Sequence, residues 1–235
     1  MKFGVVVFPG SNCDQDTVYV IKEILEQEVV TLWHKETDFD PNIDVIILPG
    51  GFSYGDYLRS GALAKFSPIM NRVVDFANNG GYVFGICNGF QILCESGLLP
   101  GALLHNNSQK FICKNIYLVP DSKSTALTKH IPRDRALKIP IAHGQGRYYA
   151  DKETLAQMRI NGQILFRYCD ENGVVSESAN PNGSVENIAG VCNERHNVFG
   201  MMPHPERASD DEIGNTDGRL IFESMIKYIR ELSSN

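Results

Sequence analysis

Residues 81–97 read GYVFGICNGFQILCESG. The run 81–86 is apolar, β-branched and aromatic, and a helix-forming run starts directly after Cys87. A strand that turns at once into a helix, with glycine two residues to either side of a cysteine, is a G-x-nucleophile-x-G elbow carrying sulfur in place of a hydroxyl. The glycines fit because the turn is tight, and a Cβ at 85 or 89 would strike neighbouring backbone. Such a turn lifts Cys87 to the carboxyl end of a sheet, where α/β crevices form, and to a helix N-terminus, which favours thiolate. The Asn88 N–H then offers one oxyanion donor. The alternative is a core cysteine at a strand end. Cys94, one turn past Phe90 and beside Leu93, reads as a packing residue, since buried cysteine behaves as a small hydrophobe.

Outward from this turn, strand and helix alternate. KFGVVVFPG is a short strand, followed by SNCDQD, where Asn12 and Gln15 have capping-box spacing. Apolar residues at 18, 21, 24 and 25 share a helical face. VVTLW is a second strand and DVIILPGG a third, apolar throughout as in a strand covered on both faces. A helix is expected over 62–78. This alternation predicts an α/β fold with a doubly wound, mostly parallel, flavodoxin-like sheet. The stretch 105–195 differs: KFICKNIYLV and QILFRYCD read as strands, prolines 120, 132 and 140 lie between them, and helical periods are few, so a β-rich excursion is expected. NVFGMMPHPE is a strand running into a loop, and GRLIFESMIKYIREL is an amphipathic helix. The prolines never cluster into a linker, so one domain over 1–235 is expected.

At 235 residues, 43% hydrophobic and 21% charged, the chain has the composition of a soluble globular protein. Its net charge of −6 argues against a sequence-blind nucleic-acid binder, which needs a basic face. There is no apolar run of membrane-spanning length, and MKFGVVVFPG lacks the long apolar region of a signal peptide, so a cytoplasmic location is expected. The cysteines at 13, 87, 94, 113, 169 and 192 form no C-x-x-C pair, so free thiols and no metal site are expected.

A cysteine nucleophile needs a base and a group to orient it. Pro203-His204-Pro205-Glu206 offers both. Each proline keeps the residue before it out of helix, and in extended chain positions 204 and 206 share a side, bringing the carboxylate to the ring. Glu206 would fix the tautomer while the other ring nitrogen takes the thiol proton. Alone, H-x-E is a weak signal; its weight comes from the elbow. Pro49-Gly50-Gly51-Phe52-Ser53 follows the third apolar strand, and a Gly51 N–H can supply the second oxyanion donor. Neither G-K-[ST] nor G-x-G-x-x-G occurs, so nucleotide binding has little support.

Together these pieces resemble the class I (triad) glutamine amidotransferases: a Gly-Gly turn, a G-x-C-x-G-x-Q elbow reaching Gln91, and a late H-x-E. PGSNCDQD at 9–16, GGFSYGDYLRSGALA at 50–64, GICNGFQIL at 85–93 and GMMPHPERA at 200–208 are similar to the family of free-standing glutaminase subunits of phosphoribosylformylglycinamidine synthase. The resemblance implies Cys87 as nucleophile, His204 as base and acid, and Glu206 as orienter. Gly51 and Asn88 would be oxyanion donors, and Gln91, with Asn106 and Ser108, would hold glutamine. AHGQGRY at 142–148 departs from the family's His-Gly-Glu-Gly-Arg, since Gln145 lacks the charge. The implied chemistry is glutamine hydrolysis through a cysteinyl thioester, with ammonia passed to an ATP-dependent synthetase subunit of purine biosynthesis. No cofactor is expected in this chain; ATP and magnesium would bind the synthetase, and a small third subunit is expected in the complex. Tyr54, Arg59, His143 and Arg147, in glycine-rich loops near the site, are expected to face that partner. An amidotransferase serving a GMP or CTP synthetase is a rival that residues 50–64 oppose. A DJ-1/PfpI-like hydrolase or chaperone is another, opposed by asparagine rather than histidine at 88.

Overall fold

In the computed structural model, which describes residues 1–121 and 125–234, the opening run forms β1 (Lys2–Val7), with Phe3, Val5 and Val6 wholly buried. Helix α1 (Asp14–Tyr19) follows and widens into a π-helical stretch at Val20–Ile24. The Asn12–Gln15 capping box does not form. The N-cap lies one residue later, at Cys13, whose N–H is drawn to the Gly50 carbonyl (3.3 Å). Strands β2 (Glu28–Trp33) and β3 (Val45–Leu48) come next, β3 buried throughout. The helix expected over 62–78 is shorter: a 3-10 turn at Ala64–Phe66 precedes α2 (Pro68–Asn78). Pro68 disfavours a helical residue before it, and Ser67 is extended at φ −62°, ψ 139°. Strand β4 (Tyr82–Ile86) and helix α3 (Asn88–Glu95) flank Cys87.

The middle of the chain supplies β5 (Ala102–Leu104), β6 (Ile112–Pro120), β7 (Leu137–His143) and β8 (Arg147–Tyr149). Helix α4 (Lys152–Ile160) interrupts the β-rich stretch before β9 (Ile164–Cys169). It is capped by Asp151, which accepts from the Thr154 N–H at 2.8 Å, and it buries only Leu155 and Met158, too short a stripe to read as a helical period. Strands β10 (Ile188–Cys192) and β11 (Val198–Met201) lead to α5 (Arg219–Ser233), whose buried Ile221, Phe222, Met225, Ile226 and Ile229 form its inner face.

Among the described residues, nine strands form one sheet in the order β2-β1-β3-β4-β11-β10-β9-β6-β7, and β5 pairs separately with β8. The half β2-β1-β3-β4-β11 is parallel and follows the flavodoxin-like order. From β11 onward every pairing is antiparallel, so the β-rich excursion extends the same sheet, making it a mixed one. Pro140 sits in β7, the edge strand, where a missing N–H is tolerated. No described helix is long and apolar enough to cross a membrane.

Candidate active site

Adjacent parallel strands deliver the site. Leu48 at the end of β3 pairs with Gly85, and Ile86 at the end of β4 pairs with Met201 at the end of β11. The next residues of these three strands are the Gly50-Gly51 turn, Cys87, and the loop holding His204. All three therefore emerge at one carboxyl edge. Cys87 adopts φ 49°, ψ −103°, a conformation few non-glycine residues take, at a cost of about 1–3 kcal/mol. Its N–H donates to the Met201 carbonyl (2.8 Å) and its carbonyl accepts from the Gln91 N–H (3.1 Å), so strand and helix both fix the turn. A Cβ on Gly89 would lie 1.9 Å from the Leu48 carbonyl oxygen, and one on Gly51, at φ +136°, 2.7 Å from the Asn12 nitrogen. Only glycine permits these approaches.

The His204 N–H donates to the Pro140 carbonyl (2.9 Å), tying the loop after β11 to β7. The imidazole Nδ1 lies 2.6 Å from Glu206 Oε1, and both side chains are buried. The contact forms through a 3-10 turn at Pro205–Ala208 rather than through extended chain, because Pro205 starts a helical turn at its own position. Burial alone would hold the ring neutral. The Glu206 carboxylate and the Cys87 and Cys13 thiols outweigh it and raise the His204 pKa well above the ordinary imidazole value. In the neutral form Nδ1–H is donated to Glu206 and Nε2 carries the lone pair; Nε2 is buried and has no hydrogen-bond partner among the described residues. The Cys87 thiol meanwhile makes a long contact to the Ala142 carbonyl, 3.7 Å away. This is a loose resting arrangement, of the kind that tightens when substrate binds.

A cavity of about 130 Å³ opens over Cys87, its walls including Gly51, Asp56, Ser60, Gln91, His143 and Gln145. Gln91 is fixed at both ends: its Nε2 donates to the Gln145 carbonyl (2.6 Å) and its Oε1 accepts from Asn88 Nδ2 (2.9 Å). The chain uses the carbonyl of Gln145 here, so the missing side-chain charge leaves this contact intact. Among the described residues, Asp56 is the one carboxylate on the wall, and no lysine or arginine lines it. Burial raises its pKa, with a Ser60 hydrogen bond opposing. Asp56 was not singled out from sequence, although it sits in the GGFSYGD run. A larger groove of about 1,040 Å³ lies between Ile24–Gln27 and α5, and among the described residues its lining brings no cysteine or histidine.

The other expected residues take the following places. Asn106 is wholly buried and saturated within the chain. Its Oδ1 accepts from the Gly146 N–H (3.0 Å) and faces His143 Nδ1 (3.1 Å), while Nδ2 donates to the carbonyls of Lys110 and His143. It shapes the 143–146 loop instead of reaching the cavity. Ser108 is exposed and off the cavity wall. His143 is buried and lines the cavity over Cys87; burial and the nearby His204 lower its pKa to about 4, so it is neutral. The Tyr54 hydroxyl turns inward to His34 Nδ1 and Ser67 Oγ, both at 2.8 Å. Arg59 is exposed and pairs with Glu95 (2.7 Å), and Arg147 is half-buried with Nε unpartnered among the described residues. Cys94 packs against the core, as a helix-underside residue should. Cys13, missed as a site residue, lies beside His204.

The model of the CobB/CobQ-like glutamine amidotransferase domain matches residues 1–228. The chain is 57% identical to a phosphoribosylformylglycinamidine synthase subunit PurQ of Aquifex aeolicus, covering 96% of this chain and 99% of that one. It is 54% identical to the PurQ subunit of Salinibacter ruber over 97% of both. A solved PurLQS structure from Thermotoga maritima contains a chain superimposing with a TM-score of 0.83 at 44% identity, covering 97% of this chain and 98% of that chain. A solved glutamine amidotransferase from the same organism, at 14% identity and a TM-score of 0.56 over 100% of this chain and 94% of that one, shares the fold. The chain thus belongs to the PurQ subunits of phosphoribosylformylglycinamidine synthase, within the glutamine amidotransferases.

Proposed function

We propose that the chain hydrolyses glutamine to glutamate and ammonia at Cys87. The ammonia passes to an ATP-dependent synthetase subunit, which converts formylglycinamide ribonucleotide to formylglycinamidine ribonucleotide in purine biosynthesis. The observation that carries this reading is a strained elbow cysteine at the same sheet edge as a buried His204–Glu206 pair.

His204 Nε2 takes the Cys87 thiol proton, and the sulfur attacks the side-chain amide carbon of glutamine. The carbonyl oxygen gains negative charge beside the Gly51 and Asn88 N–H groups. Collapse breaks the C–N bond, the proton moves from His204 to the departing nitrogen, and ammonia leaves. Water, giving a proton to His204, then attacks the γ-glutamyl thioester; glutamate departs and the thiol regains its proton. Glu206 stabilises imidazolium in both halves. Gln91 shapes the pocket, and Asp56 meets the α-ammonium of free glutamine, a cation that suits a half-buried carboxylate without a basic neighbour.

ATP and magnesium bind the synthetase, and a small third subunit completes the assembly; the PurLQS relative supports a partner of this kind. The partner-facing surface is the exposed Phe52 and Phe111 on the cavity wall, with the exposed Tyr57, Leu58 and Arg59 farther along the same loop as Phe52. The test mixes the chain with the synthetase. Glutamine should support amidine formation, Cys87→Ala should abolish it, and ammonium salt should restore it. Glutamine-dependent turnover in Cys87→Ala would refute the reading.

A further inference from the structure

Cys13 has no part in the mechanism above, yet its side chain is buried; its thiol donates to Asn12 Oδ1 (3.2 Å) and lies beside the His204 imidazole. One ligand-capable atom from each of Cys13, His204 and Glu206 lies within 4.8 Å of the other two. Gly50 explains how they fit. A Cβ there would stand 2.7 Å from His204 Cε1, 3.2 Å from Nδ1 and 3.1 Å from Cys13 Sγ. The ring edge bearing Nδ1 and the thiol therefore border one small space that glycine leaves open. Glu206 Oε2 is buried without a hydrogen-bond partner among the described residues, so one carboxylate oxygen stays uncommitted while Oε1 holds the ring.

Sulfur, imidazole nitrogen and carboxylate oxygen form the donor set of a zinc site. Thiolate and carboxylate around a neutral imidazole balance a divalent cation. Ligand atoms around tetrahedral zinc stand roughly 3.2–3.8 Å apart, as bond lengths of about 2.0–2.3 Å dictate, so the cluster needs only small adjustment. There is also an approach. A cavity of about 470 Å³ reaches Glu206, and its walls include Asp16 and Asp210, whose charge draws cations in; Arg207 on the same wall is paired with Asp16 at 3.1 Å. Among the described residues, this cavity shares no lining residue with the one over Cys87.

We propose that Cys13, His204 and Glu206 form an inhibitory site for a thiophilic divalent cation of the zinc class, entered from the Asp16–Asp210 cavity. Binding releases the Cys13 thiol proton, and the Nδ1 proton moves to Nε2 as the metal takes the Nδ1 lone pair. The metal then holds a neutral imidazole whose Nε2 is already protonated and cannot accept the Cys87 proton. The inhibitory consequence rests on His204 as the glutaminase base, whereas metal binding itself does not.

The two are separated by titrating the full chain with cobalt(II), whose thiolate charge-transfer absorption reports a Co–S bond without any turnover. The band should persist in Cys87→Ala and vanish in Cys13→Ser, with thermal melting confirming that each variant is folded. In the complex with its synthetase, zinc should inhibit glutamine hydrolysis, each protein being referred to its own metal-free rate. Cys13→Ser should raise the half-inhibiting concentration at least about 100-fold, since loss of a mere outer partner of a metal ligand already costs about 10–100-fold. A cobalt–thiolate band that survives in Cys13→Ser, or is absent from the wild-type chain, overturns the proposal. A band that behaves as expected without zinc inhibition would leave the metal site standing and overturn only its link to His204.

Discussion

Replacing Glu206 by glutamine keeps the shape of the pair and removes its charge. At 2.6 Å and an effective dielectric constant of about 20, a unit charge pair attracts by roughly 6 kcal/mol before the desolvation of the two groups is subtracted. Both side chains are buried, so that subtraction is large; about half surviving as preference for imidazolium leaves roughly 3 kcal/mol. This is about two orders of magnitude in rate. A carboxamide can also present its NH2 to Nδ1 and flip the tautomer, an effect worth up to about 10⁴-fold in a serine-protease triad. Glu206→Gln should therefore lower kcat for glutamine hydrolysis by about 10²–10⁴-fold with KM changed little, because the carboxylate faces His204 and not the substrate cavity. Without the carboxylate, burial of the ring acts with less opposition, so the His204 pKa falls from its raised value. The assay is steady-state glutaminase activity of the complex across pH, with circular dichroism as a check on folding. A kcat within about tenfold of wild type in a folded variant would refute the reasoning.

Gly89→Ala places a Cβ 1.9 Å from a backbone oxygen that cannot rotate away, so the elbow must open. Overpacking costs about 1–3 kcal/mol and occasionally more, and the expected loss, read by chemical denaturation, is at the top of that range together with glutaminase activity. Asp56→Asn should raise the KM for glutamine about 10–100-fold, from the roughly 1.5–3 kcal/mol of a charged hydrogen bond, with a smaller change in kcat. The same variant should lose its preference for glutamine over glutaric acid monoamide, which lacks the amino group; an unchanged preference removes Asp56 from substrate recognition. His143 has a native pKa of about 4 against an ordinary 6.5, so below 6.5 the unfolded chain binds a proton that the native one does not. Its contribution to stability is thus lost as pH falls from 6.5 toward 4, by up to about 3 kcal/mol, and His143→Gln should flatten that part of the denaturation profile. An equally steep profile in the variant would show that other groups carry the acid sensitivity.

The parallel half of the sheet and the elbow were legible because their signals are local. Each strand is a short apolar run, and the spacing of Gly85, Cys87 and Gly89 states the turn geometry within five residues. His204 and Glu206 were legible as a pair for the same reason. Side-chain direction in the glycine-rich loops was not. Tyr54 and His143 look like surface residues by their neighbours, yet their partners come from far along the chain: His34 and Ser67 for one, Asn106 and Asn182 for the other. Helix α4 escaped because two buried residues are too few to show a period. Cys13 read as part of a helix start, and its neighbourhood with His204 exists only because β1 and β11 end at the same edge of one sheet. Sequence spacing bears only on metal ligands close together in the chain, and says nothing of groups as distant along it as Cys13 and His204.

In the proposed reaction Cys87, and no other of the six cysteines, attacks glutamine. The most direct measurement treats the complex with 6-diazo-5-oxo-norleucine, a glutamine analogue that alkylates the attacking group, and maps the adduct by peptide mass spectrometry. One adduct is expected, on the peptide carrying Cys87, formed in step with loss of glutaminase activity and blocked by excess glutamine. An adduct on the peptide carrying Cys13, or inactivation with Cys87 unmodified, would contradict it.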